Sequence, residues 1–403
     1  MKLGVVYHMP FWRDDAGQLR EVEGSFARYV DSLAPYFDEV IVCAPFRVEV
    51  KREGTPIRAA NVTMAPLPYF AGPAQFYPRL PIMLPPLVRF VRRIDLLHCR
   101  IPTPAAFWLD VIARALRRRL FCLVVTDLEA LFPSMPYRGV KRLLWRAYTT
   151  FEERTVQRMA DRSLTFANGG ALAAKHSRPN HPVIETRTTT IDADDIYERE
   201  DACAGPRVRL LTVSRLDPRK GLRVLPEVVE RLVSRGCDAK LDIIGPSIGA
   251  LGDAERDAIE AGARTCGVAD RVRLLGAVAL GELIRRYREY DVFVLPTRPG
   301  EGIPRVLLEA MANGVPVVTS RVSGIPSLIG HESNGLLVDD PSAGSVAEAV
   351  WRVVADSGLR RLMVANGYRT ARSLTLQTQA ARMMEIVSRE MGLTLRQPAA
   401  APA

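Results

Sequence analysis

Short apolar segments alternate with amphipathic helical segments along this chain, and the alternation runs through it twice. In the first half the apolar segments include residues 2–7, 39–44 and 121–126, and helical patterns cover residues 24–34 and 140–159. Strands that alternate with helices build βαβ units, whose parallel sheet is covered by helices on both faces. The pattern therefore predicts an α/β fold.

A polar, acidic segment at residues 188–197 separates the two runs. A chain of 403 residues suits two domains of about 200 residues each. We predict an N-terminal domain over residues 1–195 and a C-terminal domain over residues 196–373. A helix over residues 374–392 is expected to pack back onto the first domain, and residues 393–403 are expected to form a disordered tail.

The apolar segments and the cysteines bear on whether the protein spans a membrane, is secreted, or carries disulfides or zinc. No segment approaches the roughly 20 consecutive apolar residues of a transmembrane helix. The first residues lack the apolar core and cleavage site of a signal peptide, so a cytoplasmic protein is predicted. The six cysteines form no C-x-x-C pair, which favours free, buried thiols over disulfides or a zinc site.

The net charge of +10 at pH 7 suits nucleic acid, an anionic membrane face or a phosphorylated substrate as partner. The charge is spread along the chain, and no nucleic-acid-binding motif accompanies it. Nucleic acid is therefore not expected as a partner.

The segment VSRLDPRKG at residues 213–221 follows a predicted strand and opens a helix. Arg215 and Lys220 flank its turn, so both cations can be aimed, with backbone N–H groups, into one small volume. Two fixed positive charges suit a diphosphate, both when it is bound and when it departs as a leaving group. Taken alone, the segment favours a surface turn with solvated cations.

The segment at residues 296–316 carries two carboxylates, with Glu301 on a loop and Glu309 inside the following helix. A helix that begins at the Gly-Ile-Pro turn presents its N-terminal N–H groups to anionic or polar oxygens. Carboxylates accept hydrogen bonds from sugar hydroxyls, and we expect Glu309 to face the cleft between the domains. Taken alone, such a glutamate is typical of a surface residue favoured by the helix dipole.

Together these segments resemble the C-terminal domain of the GT-B family 4 glycosyltransferases, in which an Arg…Lys pair and an E-x7-E motif follow in this order. The resemblance covers residues 208–349 and includes DVFVLP at 291–296, GVPVV at 314–318 and NGLLV at 334–338. It implies a GT-B architecture, with two Rossmann-like domains that face a central cleft. It also implies a retaining transfer of sugar from a nucleotide sugar, with a UDP- or GDP-sugar favoured, to a hydroxyl acceptor.

The acceptor implied by the resemblance is a carbohydrate, a glycolipid or a small molecule, in polysaccharide, glycolipid or secondary-metabolite synthesis. In the favoured mechanism of such enzymes the leaving diphosphate itself takes the acceptor proton. No enzymic nucleophile, cofactor or metal is then expected, and stabilisation of charge by Arg215 and Lys220 dominates.

The resemblance also implies roles for individual residues. Arg215 and Lys220 hold the donor diphosphate, and Glu309 bonds the nucleotide ribose. The other residues expected at the donor are Glu301, Gly302 and Ile303 at the sugar hydroxyls, Gly245, Ala277 and Val278 at the nucleotide and base, and Gly24, whose loop approaches the phosphates closely because it lacks Cβ.

The N-terminal half offers two further candidates. Many relatives carry a histidine where this chain has Asp127, which either contacts the sugar or acceptor or serves as a strand-end or helix-cap carboxylate. His98 is placed at another strand end that faces the cleft and is a candidate ligand contact. The run DADD at residues 192–195 looks like a metal-binding D-x-D motif but lies in the linker, so we expect no metal ligands there.

The helix predicted at residues 140–159 has basic and aromatic residues near its start: Lys141, Arg142, Trp145, Arg146 and Tyr148. Such a face can rest on a membrane interface and reach a lipid-linked acceptor. It can equally be a surface helix with snorkelling arginines. Peripheral contact with the inner membrane face is therefore a hypothesis with an open alternative.

Two other functions stay open on the same fold. One is a phosphorolytic enzyme or a sugar-nucleotide epimerase, although the lysine of a pyridoxal-phosphate Schiff base has no evident counterpart here. The other is a catalytically silent nucleotide-sugar sensor or scaffold, which the presence of Arg215, Lys220 and both glutamates disfavours. The base, the sugar and the acceptor are not fixed by any spacing.

Overall fold

The computed structural model describes residues 1–21, 24–48, 54–132, 138–203, 205–299 and 303–398. The chain forms two compact units, one of Met1–Thr188 with Leu376–Ala403 and the other of Thr189–Thr375. The helix predicted over residues 374–392 is observed as Leu376–Met391 and belongs to the first unit.

The strands of the first unit form a parallel sheet in the order β10-β9-β8-β7-β1-β4-β6 and a small antiparallel sheet of β2, β3 and β5. In chain order they are β1 (Lys2–Val6), β2 (Phe11–Arg13), β3 (Leu19–Glu21), β4 (Glu39–Pro45), β5 (Thr55–Pro56), β6 (Val62–Leu67), β7 (Leu96–Ile101), β8 (Arg119–Val124), β9 (Leu164–Asn168) and β10 (Ile184–Thr186). The helices are α1 (Ser25–Leu33), α2 (Pro73–Phe76), α3 (Leu80–Arg93), α4 (Ala106–Ala115), α5 (Leu128–Leu131), α6 (Gly139–Ala160) and α7 (Gly170–His176).

The second unit has one parallel sheet, in the order β13-β12-β11-β14-β15-β16. Its strands are β11 (Arg207–Val213), β12 (Asp238–Ile244), β13 (Val272–Gly276), β14 (Val292–Leu295), β15 (Val317–Ser320) and β16 (Leu336–Val338). Its helices are α8 (Leu225–Ser234), α9 (Gly249–Thr265), α10 (Leu280–Arg286), α11 (Arg305–Ala312), α12 (Ala343–Ala355) and α13 (Ser357–Ser373), and α14 (Leu376–Met391) follows in the first unit. This strand order is that of the Rossmann fold, and the predicted α/β class is confirmed.

Strand β14 shows how the parallel sheet is buried on both faces. Val292 and Val294 pack into the apolar cluster that includes α8, α9 and α12, whereas Phe293 and Leu295 pack into the cluster that includes α11. Successive side chains of a strand point to opposite faces, so a strand of four apolar residues serves both layers at once. Burial of each such side chain contributes about 1.5–3 kcal/mol, which fixes the strand and therefore the loop that follows it.

The density of prolines at residues 66–86 predicts a long irregular loop from the sequence, and this prediction is wrong. It contains the end of β6, all of α2 and the first half of α3. Pro81 lies in the first turn of α3, where the missing N–H has no intrahelical partner to lose. Pro85 and Pro86 lie inside α3, whose inner face buries Met83, Leu87, Phe90 and Val91. This helical spacing of buried side chains stabilises the helix despite its prolines.

A buried carboxyl group, Glu152, lies on the inner face of α6 and is 1% exposed. The hydroxyl of Tyr77 donates a hydrogen bond to it, at 3.4 Å. Burial raises the pKa of Glu152 to about 8, against the opposing effect of hydrogen bonds from Tyr148 and Tyr77. The group is therefore largely protonated in the folded protein at neutral pH, because its desolvation outweighs the hydrogen bonds that favour the charged form.

Replacement of Glu152 by glutamine should change how stability depends on pH. Between the ordinary pKa of 4.5 and 8, the folded state holds a proton that the unfolded chain has released. The free energy of unfolding of the parent therefore falls as the pH rises through this window, by at most about 1.4 kcal/mol per pH unit from this group. In urea unfolding at a series of pH values, Glu152→Gln should remove that part of the slope and Glu260→Gln should keep it. An unchanged slope in Glu152→Gln would contradict the assignment.

Candidate functional site

The order of the strands in the second unit reverses between β11 and β14, which are neighbours in the sheet. In open α/β sheets, ligands bind outside the carboxyl ends of the strands at such a reversal. The loops that begin at Ser214 and Pro296 follow these two strands directly. The two segments predicted to carry the chemistry therefore flank the reversal.

The loop after β11 is held in place by Asp217. The carboxylate of Asp217 accepts a hydrogen bond from the backbone N–H of Arg219, at 3.0 Å, and caps the short 3-10 helix Pro218–Lys220. It also forms an ion pair with the Arg219 guanidinium at 2.5 Å, and this hydrogen bond is the main reason that the pKa of Asp217 is lowered. The cation of Arg219 is thereby engaged within the loop, whereas Arg215 is exposed and Lys220 is half-buried.

The loop after β14 is joined to the loop after β11 by their backbones. The carbonyl oxygen of Arg219 accepts hydrogen bonds from the N–H of Arg298, at 2.8 Å, and from the hydroxyl of Thr297, at 3.2 Å. Gly221 adopts a left-handed φ of 68°, and a Cβ there would collide with the carbonyl oxygen of Pro296. Only glycine fits this approach, so the two loops form one structure.

Gly245, the residue directly after β12, brings the next loop to the same edge. It has a φ of 150°, and a Cβ would collide with the carbonyl oxygen of Ser214. Its N–H donates to the carbonyl oxygen of Gly276 at the end of β13, at 2.8 Å. Ala277, which follows, is exposed, and Val278 is half-buried. The turns after β11, β12 and β13 are therefore adjacent, as the predicted nucleotide site requires.

Glu309 lies inside α11 and is 3% exposed. One of its carboxylate oxygens accepts a hydrogen bond from the Thr190 hydroxyl, at 2.6 Å, and the other accepts from the Tyr287 hydroxyl, at 2.9 Å. The sequence predicted that the Glu309 carboxylate faces the cleft, and it gave no signal for either hydroxyl partner. The surface interpretation of Glu309 is wrong, because the helix turns this side chain inward.

Of the residues predicted at the transferred sugar, Ile303 is half-buried and packs against the apolar cluster that includes α11. Glu301 and Gly302 lie outside the described residues. Ile303 lies two residues before the start of α11 at Arg305, so it stands near the end of the same β14–α11 loop that carries Thr297 and Arg298.

Three predicted residues belong to the first unit. Gly24 is the N-cap of α1 with a left-handed φ of 77°, a conformation that favours glycine. Asp127 caps α5 by accepting from the backbone N–H of Ala130 at 3.0 Å, which agrees with the helix-cap alternative for this residue.

His98 is not at a strand end, and that prediction is wrong. Strand β7 continues to Ile101, and the ring of His98 is fully buried. The ring stacks on Phe121 of β8 with centroids 4.3 Å apart, and its Nε2 lies 2.7 Å from the Tyr29 hydroxyl. Burial lowers the pKa of His98 to about 3, with a smaller contribution from Arg100. A neutral imidazole inside the core has no route to a ligand, so His98 is part of the packing.

Two acidic clusters have the composition of a metal site. Asp127, Glu129 and Glu153 lie close enough together to hold a cation, but the ammonium group of Lys175 lies 2.9, 3.2 and 2.8 Å from them. The side chain of Lys175 thus supplies the positive charge at this cluster. In the run 192–195 the end residues cap the 3-10 helix Ala193–Asp195 reciprocally, which agrees with a structural role.

Replacement of Gly245 by alanine should destabilise the second unit. The residue must leave a glycine-specific backbone conformation and clear the Ser214 carbonyl, and strain of this kind costs about 1–3 kcal/mol. Gly262→Ala is the matched control, because Gly262 lies inside α9 and an added Cβ would meet only Pro226, at an ordinary 3.5 Å. The control should gain about 0.5–1 kcal/mol. Urea unfolding measures both, and equal stability of the two variants would contradict the close approach.

Known proteins resemble this chain most clearly in its second unit. Residues 197–370 match the family described as glycosyl transferases group 1. A GDP-mannose-dependent alpha-(1-6)-phosphatidylinositol monomannoside mannosyltransferase of Mycobacterium tuberculosis is 36% identical over 158 residues, which are 38% of this chain and 40% of that protein. An amylovoran biosynthesis glycosyltransferase of Erwinia amylovora is 38% identical over 151 residues, 36% of each chain. The match spans less than half the length of these two relatives.

Solved structures match nearly the whole chain. The structure of Anabaena Alr3699/HepE in complex with UDP has a TM-score of 0.70 at 16% identity and covers 96% of this chain and 100% of that one. WaaG, a glycosyltransferase involved in lipopolysaccharide biosynthesis, has a TM-score of 0.65 at 17% identity, with coverage of 96% and 100%. At these identities the similarity establishes the fold. The chain therefore has the GT-B fold, and its residues 197–370 are similar to the glycosyl transferases group 1 family.

Proposed function

We propose that this protein is a retaining glycosyltransferase that moves a sugar from a nucleoside-diphosphate sugar to a hydroxyl acceptor. The observation that carries the proposal is the junction of two loops at the strand-order reversal, one with Arg215 and Lys220 and the other leading into α11. The relatives support it, since one is named as GDP-mannose-dependent and one structure contains UDP. A UDP- or GDP-sugar is the donor that we propose.

We assign the diphosphate to Arg215 and Lys220. An exposed guanidinium and a half-buried ammonium on a rigid loop can each form charge-assisted hydrogen bonds with phosphate oxygens. Asp217 engages Arg219, so the carboxylate that lies within this loop is already neutralised. The negative charge that grows on the departing diphosphate would then meet two cations on a loop whose backbone is held by hydrogen bonds.

We assign the ribose to Glu309. An ionised carboxylate has about four acceptor positions, and the hydroxyls of Thr190 and Tyr287 occupy two of them. A ribose hydroxyl would bond at a remaining position, or it would replace one of these hydroxyls after a small movement of α11. We therefore expect the hydroxyls of Thr190 and Tyr287 to orient the Glu309 side chain before the donor binds.

The other residues complete the proposed donor site. Gly245, Ala277 and Val278 would line the nucleotide and its base, and Glu301, Gly302 and Ile303 would bond the transferred sugar. We also keep Gly24 as a proposed phosphate contact and Asp127 as a proposed contact of the sugar or acceptor, in addition to its role as a helix cap.

In the mechanism that we propose, the acceptor oxygen attacks the anomeric carbon on the face from which the diphosphate leaves. The new C–O bond forms as the bond to the diphosphate oxygen breaks, and that oxygen takes the acceptor proton. The anomeric configuration is retained without a covalent enzyme intermediate. Arg215 and Lys220 supply the positive charge at the leaving group, so no metal ion is needed for its departure. The acceptor would be a carbohydrate, a glycolipid or a small molecule.

Replacement of Arg215 or Lys220 by alanine should weaken nucleotide binding, and the loss should be larger for a ligand that carries more phosphate groups. Each lost charge-assisted hydrogen bond is worth about 1.5–3 kcal/mol, so each variant should bind UDP or GDP about 10- to 100-fold more weakly. Binding of the corresponding nucleoside should be unchanged. Calorimetric titration with diphosphate, monophosphate and nucleoside measures this gradient, and chelation of divalent metals should leave it unaltered.

Arg264→Ala is the matched control, since Arg264 is exposed on α9 of the same unit and away from the strand-order reversal. It should bind all three ligands as the parent does. Equal losses for the nucleoside and the diphosphate would remove the phosphate role from Arg215 and Lys220. If no nucleotide or nucleotide sugar bound the parent protein, the proposed function would be wrong.

A further inference from the structure

The first half of α6 exposes an apolar stripe to solvent. Val140 is 73% exposed, Leu143 68%, Leu144 64% and Phe151 37%, and Ala147 between them is exposed as well. Counted from Val140, the other four positions come three, four, seven and eleven residues later, so they lie on one face of the helix. An apolar stripe of this kind normally faces a core, whereas here it faces outward.

The opposite face of α6 already contacts the protein. Thr149 and Glu152 are buried, and the ring of Tyr148 packs edge-on against Tyr77 at 6.2 Å and against Trp145 at 5.4 Å. The sequence-based hypothesis gave the outer face to Trp145 and Tyr148, and this part of it is wrong. Both rings are half-buried, and the outward apolar surface comes from aliphatic side chains instead.

Basic residues accompany the stripe. Arg138, Lys141, Arg142 and Arg146 are all exposed, and residues 138–151 contain no aspartate or glutamate. The guanidinium of Arg142 lies 5.2 Å from the ring centroid of Phe132, which holds one of these charges beside the helix. The surface therefore combines aliphatic side chains with positive charges and no negative ones.

We propose that this surface, the first half of α6 with Phe151, docks on the face of an anionic lipid membrane. Val140, Leu143 and Leu144 would enter the boundary between headgroups and acyl chains, and the basic residues would contact lipid phosphates. Among the described residues, no helix is long and apolar enough to cross a membrane. The contact that we propose is surface binding, and it does not depend on which reaction the protein catalyses.

Charge complementarity favours a lipid surface over the other occupants of such a face. A second copy packed symmetrically on the same helix would bring like charges together, because a two-fold interface pairs each patch with itself. Nucleic acid would meet the basic residues but would leave the aliphatic stripe in water. Anionic lipid meets both the charge and the apolar surface.

The test is cosedimentation of the full chain with vesicles of phosphatidylcholine, alone or with about 30% phosphatidylglycerol. We expect binding to the anionic vesicles, weakened as salt is raised from about 0.1 to 0.5 M. The Leu143→Asn/Leu144→Asn variant should bind about tenfold more weakly, through the loss of apolar contact alone. The Lys141→Gln/Arg146→Gln variant should bind at least about tenfold more weakly, through the loss of charge alone.

Two control variants make the same chemical changes elsewhere. Leu362→Asn removes an aliphatic side chain that is 49% exposed on α13, and Arg361→Gln/Arg382→Gln removes two exposed charges. Both should bind like the parent, and all variants should unfold at the same temperature. The proposal is overturned by equal binding to neutral and anionic vesicles, by no binding to either, or by equal losses in the controls. A stable dimer that the Leu143→Asn/Leu144→Asn change dissociates would also overturn it, in favour of self-association.

Discussion

A single carbonyl oxygen, that of Arg219, joins the two loops on which the proposed chemistry depends. It accepts from the N–H of Arg298 and the hydroxyl of Thr297, while Gly221 lets the Pro296 carbonyl come close enough for the loops to pack. The fold makes this junction unavoidable, because β11 and β14 are adjacent and parallel although they are separated in sequence by two βα units. The cations of one segment and the start of α11 in the other are thereby brought to one edge of one sheet.

Glu309 shows a second way in which the second unit organises this edge. Its carboxylate is satisfied by hydroxyl groups from two distant segments, Thr190 at the start of the unit and Tyr287 before β14. A buried carboxylate without such donors would lose its hydrogen bonds to water without replacement. The network therefore links α11 to the segment at which the chain enters the unit. Packing as well as hydrogen bonding orients the Glu309 carboxylate, since its partner Tyr287 is fully buried.

The sequence predicted the fold class and the neighbourhood of the candidate site, because both depend on patterns that are local or periodic. Alternation of strands and helices is read from hydrophobic spacing, and the ends of parallel strands share an edge in any sheet of this kind. The sequence did not predict which groups a side chain would meet. Thr190 lies far from Glu309 in the chain, so no spacing links the two residues. His98 was misplaced because the end of β7 depends on its pairing with β8, and the helix through Pro85 and Pro86 depends on tertiary burial that outweighs a poor local propensity.

The central claim is that this edge of the second unit binds a nucleoside-diphosphate sugar for transfer with retention. The most direct measurement is product analysis after incubation with UDP- and GDP-sugars and a panel of hydroxyl acceptors, including a lipid-linked one. We expect one donor to yield nucleoside diphosphate and a new glycoside in equal amounts, and the anomeric proton coupling of the glycoside to show the configuration of the donor. An inverted product would contradict the mechanism. Tight donor binding without turnover on any acceptor would contradict the assignment as a transferase and favour a nucleotide-sugar sensor.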